Sequence, residues 1–324
     1  MTKPSKILWF TFSVAALLLA SRASAQTYVT PTVAPTPPGQ LIVVNNGPAK
    51  DADDLHVSGD LVSYSYSDST NFTVRYFNLA TRVDAGVPNN GTFFDFLADV
   101  RGSVIVFTHV SSSSSAIFQF DTANPSNPPV EVNPVSGSAR QQPQIRDQTI
   151  AWQESSSGSV SDIVAYDRVS GSTQRLTPLS VAAAVEQSPA ISPDGTVVVY
   201  VRCATISSPC STWKATLSNG TWTAQQLVSQ SRRKSVPSRH RRNHHCVFSE
   251  FRLRCQLAWQ PLGGGIENVL NISVGNASIP SISDGPQNSL IAFSYLPPGG
   301  SFHDLALYKP ATALEGPTSL EVQQ

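Results

Sequence analysis

The chain has 324 residues, and its 22 Lys plus Arg are balanced by 22 Asp plus Glu. A net charge of zero with only 14% charged residues gives no whole-chain attraction to nucleic acid or to an anionic membrane surface. After the first residues no apolar run approaches the roughly 20 residues of a spanning helix, so no membrane span is expected.

Residues 1–25 read as a signal peptide. Lys3 and Lys6 give the positive start, Ile7 to Ala20 the apolar stretch, and Ala23-Ser24-Ala25 the small-residue cleavage site. The product is expected to be exported, periplasmic or extracellular, and with no cysteine near the cleavage site it is not expected to carry a lipid anchor. Residues 26–39 hold Pro31, Pro35, Pro37 and Pro38 and read as an extended Pro-rich linker.

From residue 40 to 324 strand signals dominate, and one phrase recurs: an apolar strand, a tight turn, and a second apolar strand. SPAISPDGTVVVYVR from Ser188 is the clearest copy; HVSGDLVSYSY from His56, PQIRDQTIAWQE from Pro143 and IPSISDGPQNSLIAFSY from Ile279 follow its logic. Aligned on the turn, the copies place Gly59, Gly102, Asp147, Gly195, a position near Arg242, and Gly285 in register. The spacing is about 45 residues, the length of one four-stranded propeller blade.

The fold expected is all-β, a six-bladed β-propeller of four-stranded antiparallel blades. The blades lie near residues 53–90, 91–139, 140–185, 186–230, 231–276 and 277–324, with 41–44 closing the last one. In the fourth copy Asp194-Gly195 and Asn219-Gly220 mark hairpin turns, because both dipeptides tolerate positive φ.

The phrase at Ser188, Pro189, Ser192, Pro193, Asp194, Gly195 and Tyr200 resembles the Pro-Asp-Gly repeat of TolB-type β-propellers, a family of exported or periplasmic proteins. The first three copies lack the Pro-Asp-Gly turn, and the resemblance there is one of pattern. Such repeats occur in interaction proteins, in propeller-fused peptidases and in polysaccharide lyases, so the fold carries no function by itself.

The fifth copy breaks character. Ser231 to Gln256, SRRKSVPSRHRRNHHCVFSEFRLRCQ, concentrates arginine, histidine and cysteine. One reading is a metal site on His244, His245, Cys246 and Cys255, although the spacing matches no standard ligand pattern and neighbouring residues on a strand point to opposite faces. A second is an anion-binding patch of Arg232, Arg233, Lys234, Arg239, Arg241 and Arg242. A third is translation out of frame: moved forward by one nucleotide, His240 to Gln256 can be read as IDGTITVYSPNSDSDAN, which supplies the turn and strand that the repeat demands. On that reading the fifth blade is disrupted.

Elsewhere the chemistry is sparse. Cys203 and Cys210 flank a short loop and are expected to form a disulfide in an exported chain. No nucleophile elbow, calcium loop or phosphate cradle is present, so no catalytic residue, metal or cofactor is assigned. If the ring closes, His303 and Asp304 meet the blade that carries Asp53, Asp54 and His56; the same groups also fit plain loop polarity. Asp147, Asp194 and Asp284 read as turn residues. Trp152, Trp213, Trp222 and Trp259 fit packing between blades better than a sugar platform.

The sequence thus points to a non-enzymatic interaction scaffold for a protein or a carbohydrate. The alternatives are a lyase or hydrolase with its site at the funnel mouth, and a frameshift-damaged copy with little activity.

Overall fold

A computed structural model of the chain describes residues 27–29, 39–45, 50–68, 71–89, 94–112, 114–134, 138–157, 160–177, 184–205, 208, 210–229, 242–245, 256–261, 268–270, 276–282, 290–297, 300–310 and 318–323. Among these residues the regular structure is entirely β. The first sheet runs Asp51–Ser58, Leu61–Ser67, Phe72–Asn78, Val83–Gly86, each strand antiparallel to the one before. The second repeats the plan with Phe94–Arg101, Val104–Val110, Ser115–Asp121 and Val130–Glu131.

The third unit (Ala139–Arg146, Thr149–Ser157, Val160–Asp167, Thr173–Arg175) and the fourth (Val185–Ile191, Val197–Cys203, Cys210–Ser218, Thr221–Ser229) are joined by one parallel bridge between Ser161 and Val185. Another sheet orders Asn276–Ile282, Ile291–Leu296, Asp304–Pro310, Gly39–Asn45 and Thr27–Val29. Gly39–Asn45 pairs antiparallel with Asp304–Pro310, tying residues near the start of the chain to the last of these sheets. Thr27–Val29, within the Pro-rich stretch, makes that sheet five-stranded.

The turns explain the repeat. Gly59, Gly102 and Gly195 have φ of 58°, 58° and 72°, and Asp147 stands in the equivalent turn at 45°. Glycine meets this left-handed requirement without a Cβ penalty, and Asp is among the few other residues that tolerate it.

Each of the first four inner strands also carries a bulge that the sequence does not announce. Asp54, Leu97, Gln142 and Ser188 have φ of 52°, 53°, 56° and 55°, and the pairing register shifts at each. A branched side chain such as Leu97 pays roughly 1–2 kcal/mol for this conformation. Hydrogen bonds from the previous blade offset it. Leu97 N–H donates to Ser65 Oγ at 2.9 Å, Gln142 N–H to Thr108 Oγ1 at 3.1 Å, and Ser188 N–H to Gln142 Oε1 at 3.1 Å. At the joint between the last sheet and the first, Ser294 Oγ donates to the Ala52 carbonyl at 2.8 Å.

The hydrophobic core lies between blades. Val44, Ala292 and Leu307 pack against Leu55 and Tyr64; Val74 against Ala98 and Phe107; Val106 and Ile117 against Trp152; Ile163 against Tyr200. The first three units thereby bury both faces against neighbouring sheets, which is why their strands read as near-continuous apolar runs.

The remaining sheet differs. Thr318–Gln323 lies between Arg242–His245, to which it runs parallel, and Gln256–Pro261, to which it runs antiparallel; Asn268–Leu270 completes the order. Of the basic segment 231–256, only the backbone of Arg242–His245 and Gln256 is among the described residues, and Cys246 and Cys255 lie outside them. Residues 1–26, 30–38 and 283–289, including Asp284 and Gly285, also lie outside.

Candidate functional site

The inner strands start at one rim of the ring, and two groups of side chains meet there. At the joint between the last sheet and the first, the segment before Asp304–Pro310 brings His303 onto Asp51. Asp51 Oδ1 accepts from the His303 backbone N–H at 2.7 Å and lies 2.8 Å from His303 Nδ1. The Ala52 N–H in turn donates to the His303 carbonyl at 3.0 Å. Asp53 is adjacent, its Oδ1 receiving the Ser294 hydroxyl at 3.4 Å.

Asp51, Asp53 and His303 place one ligand-type atom each within 4.8 Å of one another, a donor set that could hold a metal ion. The geometry favours a clasp instead. The same Asp51 oxygen accepts from the His303 backbone N–H and contacts its ring Nδ1, contacts that join the two sheets.

The second group is a cleft between the first and second blades. Asp53, Asp54, Ser65, Phe72, Phe94, Phe96, Leu97 and Val110 line a cavity of about 470 Å³. Phe72 opens the third strand of the first blade, and Phe94 and Phe96 open the inner strand of the second, with Leu97 forced inward by its bulge. The Phe72 ring meets Phe94 and Phe96 edge-on at 6.0 Å and 6.3 Å. Phe72 and Phe94 nevertheless stay 47% and 44% exposed. Large aromatics that pack on one another yet keep nearly half their surface in water are the unusual feature of this rim.

Electrostatically the rim divides. Burial, then the nearby charge of Asp51, pushes the Asp53 carboxyl above its ordinary range, with His303 and Ser294 pulling the other way. Burial also raises Asp95, against the bond from His109, whose Nδ1 is 2.7 Å away.

Below the bulges lies a sealed chain. His56 Nδ1 is 3.0 Å from Asp99 Oδ1, and Asp99 Oδ2 accepts from Arg146 Nη1 at 2.9 Å and from the Ile145 N–H at 2.8 Å. Asp99 is 1% exposed. Burial alone would raise its pKa; Arg146, His56 and the Ile145 N–H outweigh that and hold the carboxyl well below the usual range.

The structure therefore brings His303 to Asp51 and Asp53 but sends His56 across to the second blade, with Asp54 Oδ1 3.5 Å from its other nitrogen. Cys203 and Cys210 face each other across the second and third strands of the fourth blade and are disulfide-bonded. Asp147 holds its turn and binds Arg101, while Asp194 accepts from Ser192 Oγ and the Thr196 N–H. Trp152 is buried between blades; Trp213 and Trp222 pack on the core of the third and fourth. Sequence reasoning missed the phenylalanines. The signal was the FDF triplet at the head of an inner strand, ahead of the apolar run.

No family model matches the chain, and no curated protein matches it. Among solved structures it is similar to TolB from Acinetobacter baumannii, with 12% identity and a TM-score of 0.44 over 92% of this chain and 66% of that one. It is also similar to the β-propeller domain of the Trilobed protease from Pyrococcus furiosus, with 12% identity and a TM-score of 0.43 over 82% and 86% of the two chains. For prolyl oligopeptidase B from Galerina marginata the values are 10% and 0.47, over 78% of this chain but only 33% of that one. The chain thus spans less than two thirds of the TolB structure and a third of the peptidase.

Proposed function

We propose that the protein is an exported, non-enzymatic six-bladed propeller that binds another protein through the rim cleft between its first and second blades. The observation that carries this reading is the cluster of Phe72, Phe94 and Phe96, the first two nearly half exposed, beside the Leu97–Ser65 hydrogen bond that joins the blades. Exposed aromatics that fill a shared pocket are the residues that dominate protein interfaces. A carbohydrate fits less well. Sugar hydroxyls need several convergent polar partners, whereas this cleft offers Asp53, Asp54 and Ser65 against five apolar side chains.

His109 and His303 each lie against a carboxylate, Asp95 and Asp51 respectively.

Immobilised protein and a Phe72→Ser/Phe94→Ser variant, each exposed to the secreted fraction of the source cells and to an oligosaccharide array, provide the test. Proteins retained only by the unsubstituted chain support the reading. Oligosaccharides retained in their place would replace it.

A further inference from the structure

We propose that the outer strand of the fourth blade, Thr221–Ser229, pairs edge to edge with the same strand of a second copy of this chain, across a two-fold axis at Ala224. The cleft between the first and second blades takes no part in this contact.

This edge is the exception among the outer edges. In the first three blades the outer strands are Val83–Gly86, Val130–Glu131 and Thr173–Arg175, with 4, 2 and 3 residues. Edges so short offer little backbone to another strand. The longer Gly39–Asn45 is covered in part by Thr27–Val29 of the same chain. Thr221–Ser229 has 9 residues and ends its sheet, and among the described residues its pairing is with Cys210–Ser218 alone. It contains no charge and no proline, two devices that block edge pairing. A register shift bulges the strand at Leu227, but Thr221 to Gln226 pair without a break.

The hairpin fixes which groups point outward. Asn219 and Gly220, at φ of 50° and 75°, form a two-residue loop, which makes Ser218 and Thr221 a hydrogen-bonded pair. Alternation then turns the backbone groups of Thr221, Thr223 and Gln225 toward Cys210–Ser218, and those of Trp222, Ala224 and Gln226 outward. An antiparallel copy bonded to these three residues sets Ala224 opposite Ala224, Trp222 opposite Gln226, and Thr223 opposite Gln225.

Charge decides for a second copy. Two-fold pairing brings each stretch of strand against itself, so a charged edge would face its own sign; Thr, Ala, Trp and Gln carry no such penalty. Trp222 and Ala224 stay on the core of the third and fourth blades, while the exposed Thr223 and Gln225 share the opposite face. Six residues a side cover less than the roughly 1,000 Å² of a stable interface, so the dimer is weak, with a Kd between about 1 μM and 1 mM.

Sedimentation equilibrium of the full chain, up to about 1 mM, tests the pairing, and a monomer–dimer equilibrium is the expected result. Thr223→Lys/Gln225→Lys sets lysine against lysine across the axis and should weaken the dimer about tenfold. Thr223→Glu/Gln225→Glu should do the same, and mixing the two variants should restore association. Urea midpoints should stay near the parent's, because both positions are exposed. Lys214 lies opposite Gln225 within the blade, so the glutamate variant is the better tolerated and carries the test if the lysine variant unfolds.

A parent that stays monomeric throughout would overturn the proposal. A dimer untouched by either charge variant would overturn the edge as its site, and one lost in Phe72→Ser/Phe94→Ser would move the contact to the cleft. Variants that weaken the dimer yet fail to associate when mixed would overturn the two-fold register at Ala224.

Discussion

Asp53 and His56 stand on one strand on either side of the bulge at Asp54, and their surroundings are opposite. Below the bulge, His56, Asp99 and Arg146 link the first three blades through short, buried, mutually satisfied contacts. Above it, Asp53 contacts Ser294 of the last sheet, and the neighbouring rim carries the part-exposed Phe72 and Phe94. The two sides of one bulge thus differ: the polar groups closed on themselves below it act on stability, and the part-exposed phenylalanines above it form the surface proposed for binding.

Asp99→Ala should have the largest effect. It removes the buried carboxylate that both Arg146 and His56 contact, at a cost of about 3–5 kcal/mol in urea unfolding. Asp53→Asn should cost less than about 1 kcal/mol; if it destabilised as much as Asp99→Ala, the division between belt and rim would be lost. The two carboxylates should also respond to acid with opposite signs. Asp99 is depressed in the folded state, so its contribution is complete above the unfolded carboxylate pKa of about 3.9 and disappears as pH falls below that toward the folded value. Asp53 is raised, among Asp51, Asp54, His303 and Ser294, so protonating it favours the folded chain as pH falls through its range. Melting temperature against pH for the parent and for Asp99→Asn checks the first sign: the variant should lose less stability below pH about 4.

Reduction of the Cys203–Cys210 disulfide comes next. It closes a loop across a sequence separation of 7, for which loss of the cross-link should lower stability by about 2 kcal/mol. Unfolding with and without a thiol reductant measures it, and ring shifts of Phe72 and Phe94 should stay put, since the bond lies on the fourth blade. The smallest effect is expected for Phe72→Ser, within about 0.5 kcal/mol in urea unfolding for a side chain so exposed. A loss of several kcal/mol would mean that the phenylalanines belong to the core and not to a binding surface.

The legible part of the fold was its punctuation. Gly59, Gly102 and Gly195 are read as turns because positive φ selects glycine, and Asp147 substitutes for it in the third copy. The bulges were hidden for the opposite reason: nothing about Leu97 suggests a left-handed backbone, because its compensation comes from Ser65 on a different blade. The meeting of His303 with the first blade could be anticipated from ring closure, but its bond to Asp51, and the separation of His56 from it, depend on which side of the bulge each residue falls. Phe94 and Phe96 look like ordinary strand residues, and only their place at the head of the strand leaves Phe94 open to water. In the fifth copy the repeat is silent between Ser231 and Gln256, so no pattern in the sequence foretells that Thr318–Gln323 lies beside Gln256–Pro261.

The pairing of Gly39–Asn45 with Asp304–Pro310 also sets a timetable for biosynthesis. Gly39–Asn45 leaves the ribosome long before its partner, and Gln256–Pro261 likewise waits for Thr318–Gln323. Contacts so distant along the chain form slowly, because the loop must be closed before any pairing rewards it. Until then apolar residues Leu41 to Val44 travel with an open edge, the kind of surface that recruits chaperones or aggregates. The interval between the synthesis of Gly39–Asn45 and that of Asp304–Pro310 is therefore one of exposure for this edge.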